Sequence, residues 1–359
     1  MNRFKNISVF ILSGALALSF AACSKNSESE LTGEVTGSSE PTTLTSESSD
    51  SETSETSDPE PSETSSENTK NSEISESRLA EIAAVNHDDY QLSESDDLKE
   101  MEKKIEAKYG LDVVFGEDVR TEFGDESEQL EAEKYTDEVN IRKALITLDD
   151  ILKLYPKTFF YQLRLSEDSP VKIYMSGPIN SLTYPDAAIN AFTSDNDSKG
   201  EFYLTIDIAG QDGVFNPVDI MHELVHMTDF KLEKKGILKK EDWAALNPGD
   251  FSYRDKSGKE SVDKYNFAQS EYCPLKKGTS PSDVYFVCPY SQANAYEDRA
   301  TLLTNALVYS LYGYEVEPEV YKCPNLQKKM EYWFGLVRKG FDTSYWDTVL
   351  WEDSYSKLT

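Results

Sequence analysis

Residues 217–229 read Pro-Val-Asp-Ile-Met-His-Glu-Leu-Val-His-Met-Thr-Asp, and this stretch decides how the chain is interpreted. His222 and His226 are four positions apart, so on an α-helix they lie on one face, one turn from each other. Two neutral imidazoles placed in this way can ligate one Zn²⁺ ion. Glu223, which follows the first histidine, can then act as a general base toward water. This H-E-x-x-H pattern predicts a catalytic zinc site on a helix.

The residues that flank the motif support this helix. Asn216 suits the N-cap, and Pro217 suits the first helical position. Gly236 suits the position that follows a helix C-terminus, so the predicted helix spans residues 217–235. The apolar residues that would face the core share the side opposite the histidines: Ile220, Leu224 and Met227.

Histidine is scarce in this chain, and this scarcity limits the third zinc ligand. Only three histidines occur among 359 residues. A catalytic zinc site takes three protein ligands and keeps one position open. The third histidine, His87, lies far upstream in a polar stretch, where we expect a surface residue. A carboxylate ligand is therefore expected, and Glu297 and Asp298 on the next strong helical pattern are the candidates.

The motif belongs to a longer pattern that resembles a known family. The stretch from His222 to Asp229, with the later Tyr296-Glu297-x-x-Ala300, is similar to zincin metallopeptidases of the anthrax lethal factor and Pro-Pro endopeptidase group. Those enzymes carry H-E-x-x-H-x-x-D and a later Glu ligand, with a Tyr seven residues before that Glu. Tyr290 stands at that distance before Glu297 here.

The resemblance implies a role for each matching residue. It implies that His222, His226 and Glu297 ligate zinc and that Glu223 is the general base. It implies that Tyr290 donates a hydrogen bond to the oxyanion of the transition state, which a phenol can do. The substrate would be a protein or peptide.

Asp229 and two departures from the family pattern complete the site prediction. Asp229 lies on the histidine face and could orient a ligand through a hydrogen bond, and the alternative is a solvated helix residue. Thr301 stands where the family tends to have a second Glu. Seventy residues separate His226 from Glu297, which is long for the family. The excess falls within about 237–289, which we expect to be an insertion that borders the cleft.

Apolar periodicity outside the motif predicts an α+β domain, because mixed strands precede a run of helices. The resemblance implies a zincin-like arrangement with a small mixed sheet, an active-site helix and a helical C-terminal part. Residues 202–208 are expected to form the edge strand of the cleft, on which an extended peptide pairs, and an inner strand is the alternative. The other predicted elements are strands at 111–115 and 171–175 and helices at 97–109, 141–155, 293–311 and 326–338.

The N-terminal part of the chain predicts export and anchoring. Residues 1–22 have a basic start, an apolar stretch and small final residues, as an export signal does. Phe20-Ala21-Ala22-Cys23 resembles the lipobox of bacterial lipoproteins, which implies a lipid on Cys23 and a position on the extracellular face of a bacterial cell membrane. An unmodified secreted protein is the alternative. Residues 23–78 then form a tether, since 24–77 contain 26 Ser or Thr and no aromatic residue. The zincin-like domain would span residues 79–359.

The charge excludes one class of partner. The formal net charge is −30, from 66 acidic and 36 basic side chains, whereas nucleic acid binding needs a basic surface. Residues 24–78 alone hold 14 acidic and 3 basic groups, so a large share of the charge lies in the tether. The rest of the chain is also acidic, which slightly favours basic or neutral peptide substrates.

The cysteines and the overall function leave alternatives open. Cys273 and Cys288 are the expected disulfide pair of a secreted chain, and Cys323 has no assigned role. A surface-anchored zinc endopeptidase is the function that the resemblance implies. The alternatives are a non-catalytic zincin-like surface protein that binds a partner, and a zinc hydrolase that acts on a substrate other than protein. The filled catalytic positions favour the endopeptidase.

Overall fold

The computed structural model describes the chain from Ile74 onward with several gaps: the described ranges are 74–124, 129–182, 188–194, 201–209, 215–253, 272–273, 279–313 and 318–358. The predicted export signal, Cys23 and all but the last residues of the predicted tether lie outside these ranges. Within them, no helix combines the length and the apolar character that a membrane crossing requires.

A mixed four-stranded sheet carries the main core of the domain. Strands β1 (Asp112–Phe115), β4 (Lys172–Ser176) and β8 (Tyr203–Asp207) run parallel, in the order β1-β4-β8. Strand β7 (Ala191–Ser194) pairs antiparallel with β8 and forms the edge. The three predicted strands are confirmed within about two residues at each end, whereas β7 has no counterpart in the sequence prediction.

The prediction that residues 202–208 form the edge strand is wrong. β8 lies between β4 and β7 and is hydrogen-bonded on both sides. Its residues are almost entirely buried, as expected of a strand whose two faces and two edges are all covered. The open edge next to the motif helix belongs to β7.

A second, antiparallel sheet covers the outer face of the first. Its strands are β2 (Glu122–Gly124), β3 (Gln129–Ala132), β5 (Ile179–Ser181) and β6 (Ala188–Ile189), in the order β2-β3-β5-β6. A small apolar cluster that includes residues of both sheets lies here: Val119, Phe123, Leu130, Ala132, Tyr174, Ile179 and Tyr203. In this cluster Phe123 and the aliphatic side chains of the second sheet cover Tyr174 and Tyr203 on the outer face of the first sheet.

Helices make up most of the remaining regular structure in the described ranges and confirm the α+β class. The four helices predicted outside the motif are all present, each within about three residues of its expected ends. The helices are α1 (Glu76–Ala83), α2 (Leu98–Tyr109), α3 (Glu138–Leu152), α4 (Phe159–Leu163), α5 (Pro217–Lys234), α6 (Lys240–Ala244), α7 (Ala295–Tyr312), α8 (Pro324–Gly340) and α9 (Leu350–Ser356).

Helix α5 lies at the centre of the domain, and its ends form as predicted. The Asn216 side chain accepts a hydrogen bond from the Val218 N–H at 3.1 Å, and Pro217 occupies the first turn. Gly236 has φ +68° and ends the helix. At Gly340 a Cβ atom would collide with the side chain of Leu232, so this glycine lets α8 lie close against α5.

The predicted disulfide is not formed. Cys273, Cys288 and Cys323 are buried thiols in this structure, which corrects the pairing of Cys273 with Cys288. The side-chain amide of Gln292 donates to Cys273 Sγ at 3.6 Å, and Cys288 Sγ lies 3.9 Å from Ser291 Oγ. Each of these two sulfur atoms therefore has a polar neighbour other than a second cysteine.

Candidate metal centre

Helices α5 and α7 bring three potential metal ligands together. His222 Nε2 lies 3.0 Å from Glu297 Oε2, and His226 Nε2 lies 3.7 Å from Glu297 Oε1. One ligand atom from each residue lies within 4.8 Å of the others. Donor atoms bound to one zinc ion at about 2.0–2.2 Å are separated by comparable distances, so these three side chains could hold one metal ion.

The start of α7 places Glu297 at this site. Asn294 is the N-cap of the helix, and its side-chain oxygen accepts from the backbone N–H groups of Tyr296 and Glu297, at 2.9 Å each. The cap fixes Glu297 in the first turn, where a carboxylate also suits the helix dipole. The sequence signal for this carboxylate was therefore local, and the structure brings it to the histidines of α5.

The protonation states of His226 and Glu297 suit metal ligands, whereas His222 has to lose a proton before it can ligate. Burial lowers the pKa of His226 to about 3, so its imidazole is neutral. Burial alone would raise the pKa of Glu297, but the hydrogen bond and charge of His222, the charge of His226 and the Tyr290 hydroxyl together lower it to about 2. For His222, burial is outweighed by Glu297, which raises the pKa. Two imidazoles and one ionised carboxylate form a donor set that zinc accepts.

Glu223 lies beside this cluster and is 7% exposed. Burial, with smaller contributions from the charges of Glu297 and Asp219, raises its pKa to about 8, against the opposing charge of His222. A carboxyl group whose pKa lies near neutrality can both take up and release a proton. The structure therefore gives Glu223 the surroundings of an acid–base group.

The carboxylate of Glu223 accepts a hydrogen bond from the backbone N–H of Thr193 on β7. The Asp207 N–H donates to the Asn190 carbonyl at 2.8 Å, so residues 190 and 207 form a hydrogen-bonded pair of this antiparallel ladder. Hydrogen-bonded and non-hydrogen-bonded pairs alternate along such a ladder. The N–H of Thr193 consequently points away from β8, toward the open edge, where it meets Glu223.

Tyr290 reaches the cluster from the short 3₁₀ helix Pro289–Gln292. Its hydroxyl makes a hydrogen bond with Glu297, and its ring centroid lies 6.3 Å from that of His222. Burial, followed by the charge of Glu297, raises its pKa well above the ordinary value, so the phenol keeps its proton. The structure thus places the Tyr290 hydroxyl, a hydrogen-bond donor, against Glu297.

Asp298, the alternative ligand, faces away from the histidines. It accepts hydrogen bonds from Trp243 Nε1 at 2.9 Å, from the Tyr253 hydroxyl at 2.7 Å and from Lys329 Nζ at 2.7 Å. Trp243 and Tyr253 belong to the described part of the stretch 237–289. Asp298 therefore attaches this stretch to α7, while its neighbour Glu297 lies at the cluster.

Asp229 has a different partner from the one that we expected. Its Oδ2 atom accepts from Arg299 Nε at 2.7 Å, and both side chains are 0% exposed. Among the described residues, neither histidine of the cluster is hydrogen-bonded to it. His87 is also elsewhere: it is half-buried, with its ring centroid 5.5 Å from that of Tyr109.

The sequence prediction assigned no site role to three groups near the cluster: the Thr193 N–H, Asn190 and Asp219. The Thr193 N–H donor had no detectable signal, because a backbone group on a four-residue strand depends on pairing with β8 and not on its own side chain. Asn190, whose side chain donates to Asp219, was missed for the same reason. Asp219 itself could have been found, since it lies one turn before His222 on the same face of the helix.

Comparisons with known proteins add little to this geometry. No family model matches the chain, and no curated protein matches it. A solved structure from Bacteroides caccae, described as that of a candidate zinc-binding metallo-peptidase, aligns with a TM-score of 0.35 and 16% sequence identity. The alignment covers 75% of this chain and 94% of that one. A likeness this loose leaves the chemistry of the site to be argued from its own side chains.

Proposed function

We propose that this chain is a zinc-dependent endopeptidase that is held at the outer face of a bacterial membrane by a lipid on Cys23. The observation that carries the proposed activity is the convergence of His222, His226 and Glu297, with the buried carboxyl group of Glu223 beside them. This combination of three ligands and an adjacent base suits zinc-assisted hydrolysis of a peptide bond.

His222, His226 and Glu297 would hold the metal. When bound, zinc would supply Lewis-acid polarisation of the scissile carbonyl and would lower the pKa of water. Glu223 takes the proton of the attacking water and later delivers it to the leaving amine. The Thr193 N–H donates to the Glu223 carboxylate and favours its ionised form, which is the form that accepts a proton.

Besides the proton transfers of Glu223, the reaction needs a group that stabilises the developing negative charge, and Tyr290 can provide it. Its phenol remains protonated and lies at the cluster, where it can donate to the oxygen on which negative charge develops. A donor that is already positioned needs little reorganisation when that charge appears. We therefore assign to Tyr290 the stabilisation of the oxyanion.

The edge strand β7 suits an extended peptide substrate. By the same alternation that applies to Thr193, the backbone N–H and C=O groups of Ala191 point away from β8. An extended peptide can add to such an edge through main-chain hydrogen bonds. Because Glu223 is bonded to the same strand, a peptide on this edge would pass beside the base.

The anchoring part of the proposal rests on the sequence. The lipobox-like residues 20–23 would carry the lipid, and the Ser/Thr-rich stretch 24–77 would serve as the tether to the domain. With two or more acyl chains on Cys23 the attachment to the membrane would be stable, whereas a single chain binds only marginally.

One experiment tests the proposed activity. Purified full-length protein, the Glu223→Gln variant and the His226→Ala variant are analysed for bound zinc by mass spectrometry and for cleavage of a diverse peptide library. We expect one zinc ion in the wild type and in Glu223→Gln, cleavage by the wild type alone, and no zinc in His226→Ala. Glu131→Gln, which removes an exposed carboxylate on β3, is the matched control and should cleave like the wild type.

Two results would contradict the proposal. Stoichiometric zinc without cleavage above the Glu223→Gln background would favour a binding protein. Zinc content that is equal in the wild type and in His226→Ala would show that the metal, if present, is held elsewhere.

A further inference from the structure

Several buried polar atoms near the cluster have no hydrogen-bond partner among the described residues, and two of them lie one turn apart on α5. One is His222 Nδ1, and the other is Asp219 Oδ1. The two residues are 1% and 4% exposed, so neither atom has ready access to bulk water. Buried polar groups in proteins are almost always paired, and each exception calls for an explanation.

The positions of these residues on α5 bring the two side chains to one side of the helix. At about 100° per residue, Asp219 lies about 60° and His226 about 40° around the helix axis from His222. Long side chains of a helix lean toward its N-terminus, so the imidazole of His222 lies over the turn that contains Asp219. The Asp219 carboxylate also accepts from the side chain of Asn190, which precedes β7.

The chemistry of a ligating imidazole explains why both atoms would need a partner. His222 faces Glu297 and His226 through Nε2, the atom that would bind the metal. A neutral imidazole that ligates through Nε2 carries its proton on Nδ1, which is then a hydrogen-bond donor. Ligating histidines commonly donate this N–H to a carboxylate or a carbonyl, which fixes the orientation of the ring.

Of the other carboxylates near the cluster, Glu223 accepts from Thr193 and Glu297 lies on the Nε2 side of the ring. Asp229 accepts from Arg299 at Oδ2, and its Oδ1 atom is also unpaired, but Asp229 lies seven residues after His222, away from the turn over which the imidazole leans. Asp219 Oδ1 is the unpaired carboxylate oxygen of that turn.

We propose that Asp219 is a positioning residue, which accepts a hydrogen bond from His222 Nδ1 when His222 ligates the metal and thereby fixes the imidazole. This inference rests on the proposed zinc site. The proposed bond also links His222 to β7, because the side chain of Asn190, which precedes β7, donates to the same Asp219 carboxylate. The substrate-binding edge and the first zinc ligand would then share one hydrogen-bonded chain: Asn190, Asp219 and His222.

The small number of histidines makes the proposed bond directly observable. Full-length protein labelled with ¹⁵N-histidine gives only three imidazole patterns in a long-range ¹H–¹⁵N spectrum. Loss of one pattern in His222→Ala assigns the ring. In the zinc-loaded wild type we expect His222 to be protonated at Nδ1, with a proton that is shifted downfield and exchanges slowly.

The variants separate a positioning role from a merely structural one. Asp219→Ala removes the acceptor, and Asp219→Asn retains the size of the side chain if the alanine variant fails to fold. Asp149→Asn is the matched control, since it neutralises another buried carboxylate, one that pairs with Lys108 and Tyr109. Zinc affinity is measured in each variant by competition with a chromophoric chelator.

We expect Asp219→Ala to weaken zinc binding by about 10–100-fold, as is usual for residues that orient a ligand, and to abolish the downfield, slowly exchanging Nδ1 proton of His222. Asp219→Asn should lie between the wild type and Asp219→Ala, and Asp149→Asn should bind zinc like the wild type. Zinc affinity within about twofold of the wild type, with an unchanged His222 Nδ1 proton in both Asp219 variants, would overturn this inference alone. A wild-type chain that binds no zinc would overturn the proposed function first, and this inference with it.

Discussion

Arg299 on α7 donates from Nε to Asp229 Oδ2 on α5 across 2.7 Å, and both side chains are fully buried. Asp229 follows His226 by three residues, and Arg299 follows Glu297 by two. The ion pair therefore joins the two helices that carry the potential metal ligands, within one turn of those ligands. A second hydrogen bond, from the Tyr296 hydroxyl to Glu233 Oε2 at 2.9 Å, also holds these two helices together.

The Arg299–Asp229 pair predicts a large loss of stability when one partner is removed. Arg299→Met leaves the Asp229 carboxylate buried without its counter-charge, and we expect the free energy of unfolding to fall by about 3–5 kcal/mol. Urea unfolding followed by tryptophan fluorescence measures this change. The double variant Asp229→Leu/Arg299→Met should recover most of the loss, because no charge is then left unpaired. Additive losses in the double variant would show that the two side chains are not coupled.

The adjacent residues Glu297 and Asp298 should give opposite results when each is changed to its amide. Glu297→Gln should weaken zinc binding by more than about 100-fold, beyond the range typical of residues that only support a ligand. Asp298→Asn should keep the zinc affinity but lower the stability, since it leaves the buried Lys329 ammonium without a carboxylate. Chelator competition and urea unfolding measure the two quantities. Loss of zinc in Asp298→Asn, with retention in Glu297→Gln, would reverse the assignment of the ligand.

Tyr290→Phe should separate catalysis from metal binding. The variant loses the hydroxyl but keeps the ring that packs near His222, so we expect zinc content and KM to stay close to the wild type. If Tyr290 stabilises the oxyanion, kcat should fall by about 10²–10³-fold. Steady-state kinetics on a cleaved library peptide provide the measurement. An unchanged kcat would remove Tyr290 from the mechanism and leave it as a hydrogen-bond partner of Glu297.

Zinc removal should lower the thermal stability of the wild type, and this effect should disappear when the proposed ligand His226 is removed. Binding to the folded state alone stabilises it by about 2.7 kcal/mol when free zinc is 100 times Kd. The Tm of chelator-treated protein should therefore rise when zinc is added back. His226→Ala should show no such rise. A rise of the same size in this variant would indicate that zinc acts at another site.

The helix that carries the motif could be predicted almost to the residue, because its boundaries are set by local signals. Asn216, Pro217 and Gly236 each specify a helix end through their own backbone or side-chain chemistry. The position of Glu297 follows in the same way from the cap at Asn294. These parts of the candidate site needed no knowledge of distant contacts.

The edge of the sheet could not be predicted, because it depends on contacts between distant parts of the chain. β7 has only four residues, and its role is defined by pairing with β8 and by its place beside α5. The partner of Asp229 was missed for a similar reason: the helical pattern puts Asp229 on the histidine face but gives no information about α7. Local patterns thus identified the groups of the site, and tertiary contacts decided which groups meet.

The bond between the Thr193 N–H and Glu223 has a consequence for how this protein tolerates mutation. The donor is a main-chain N–H group, so every residue type except proline would provide it at position 193. A scan of alanine substitutions would therefore pass over this position, although its amide holds the proposed base. The Thr193 side chain donates separately, from Oγ1 to the Tyr203 carbonyl at 2.7 Å, so a substitution at 193 would change that bond and the surface that an incoming peptide would meet, while the backbone donor to Glu223 stays the same.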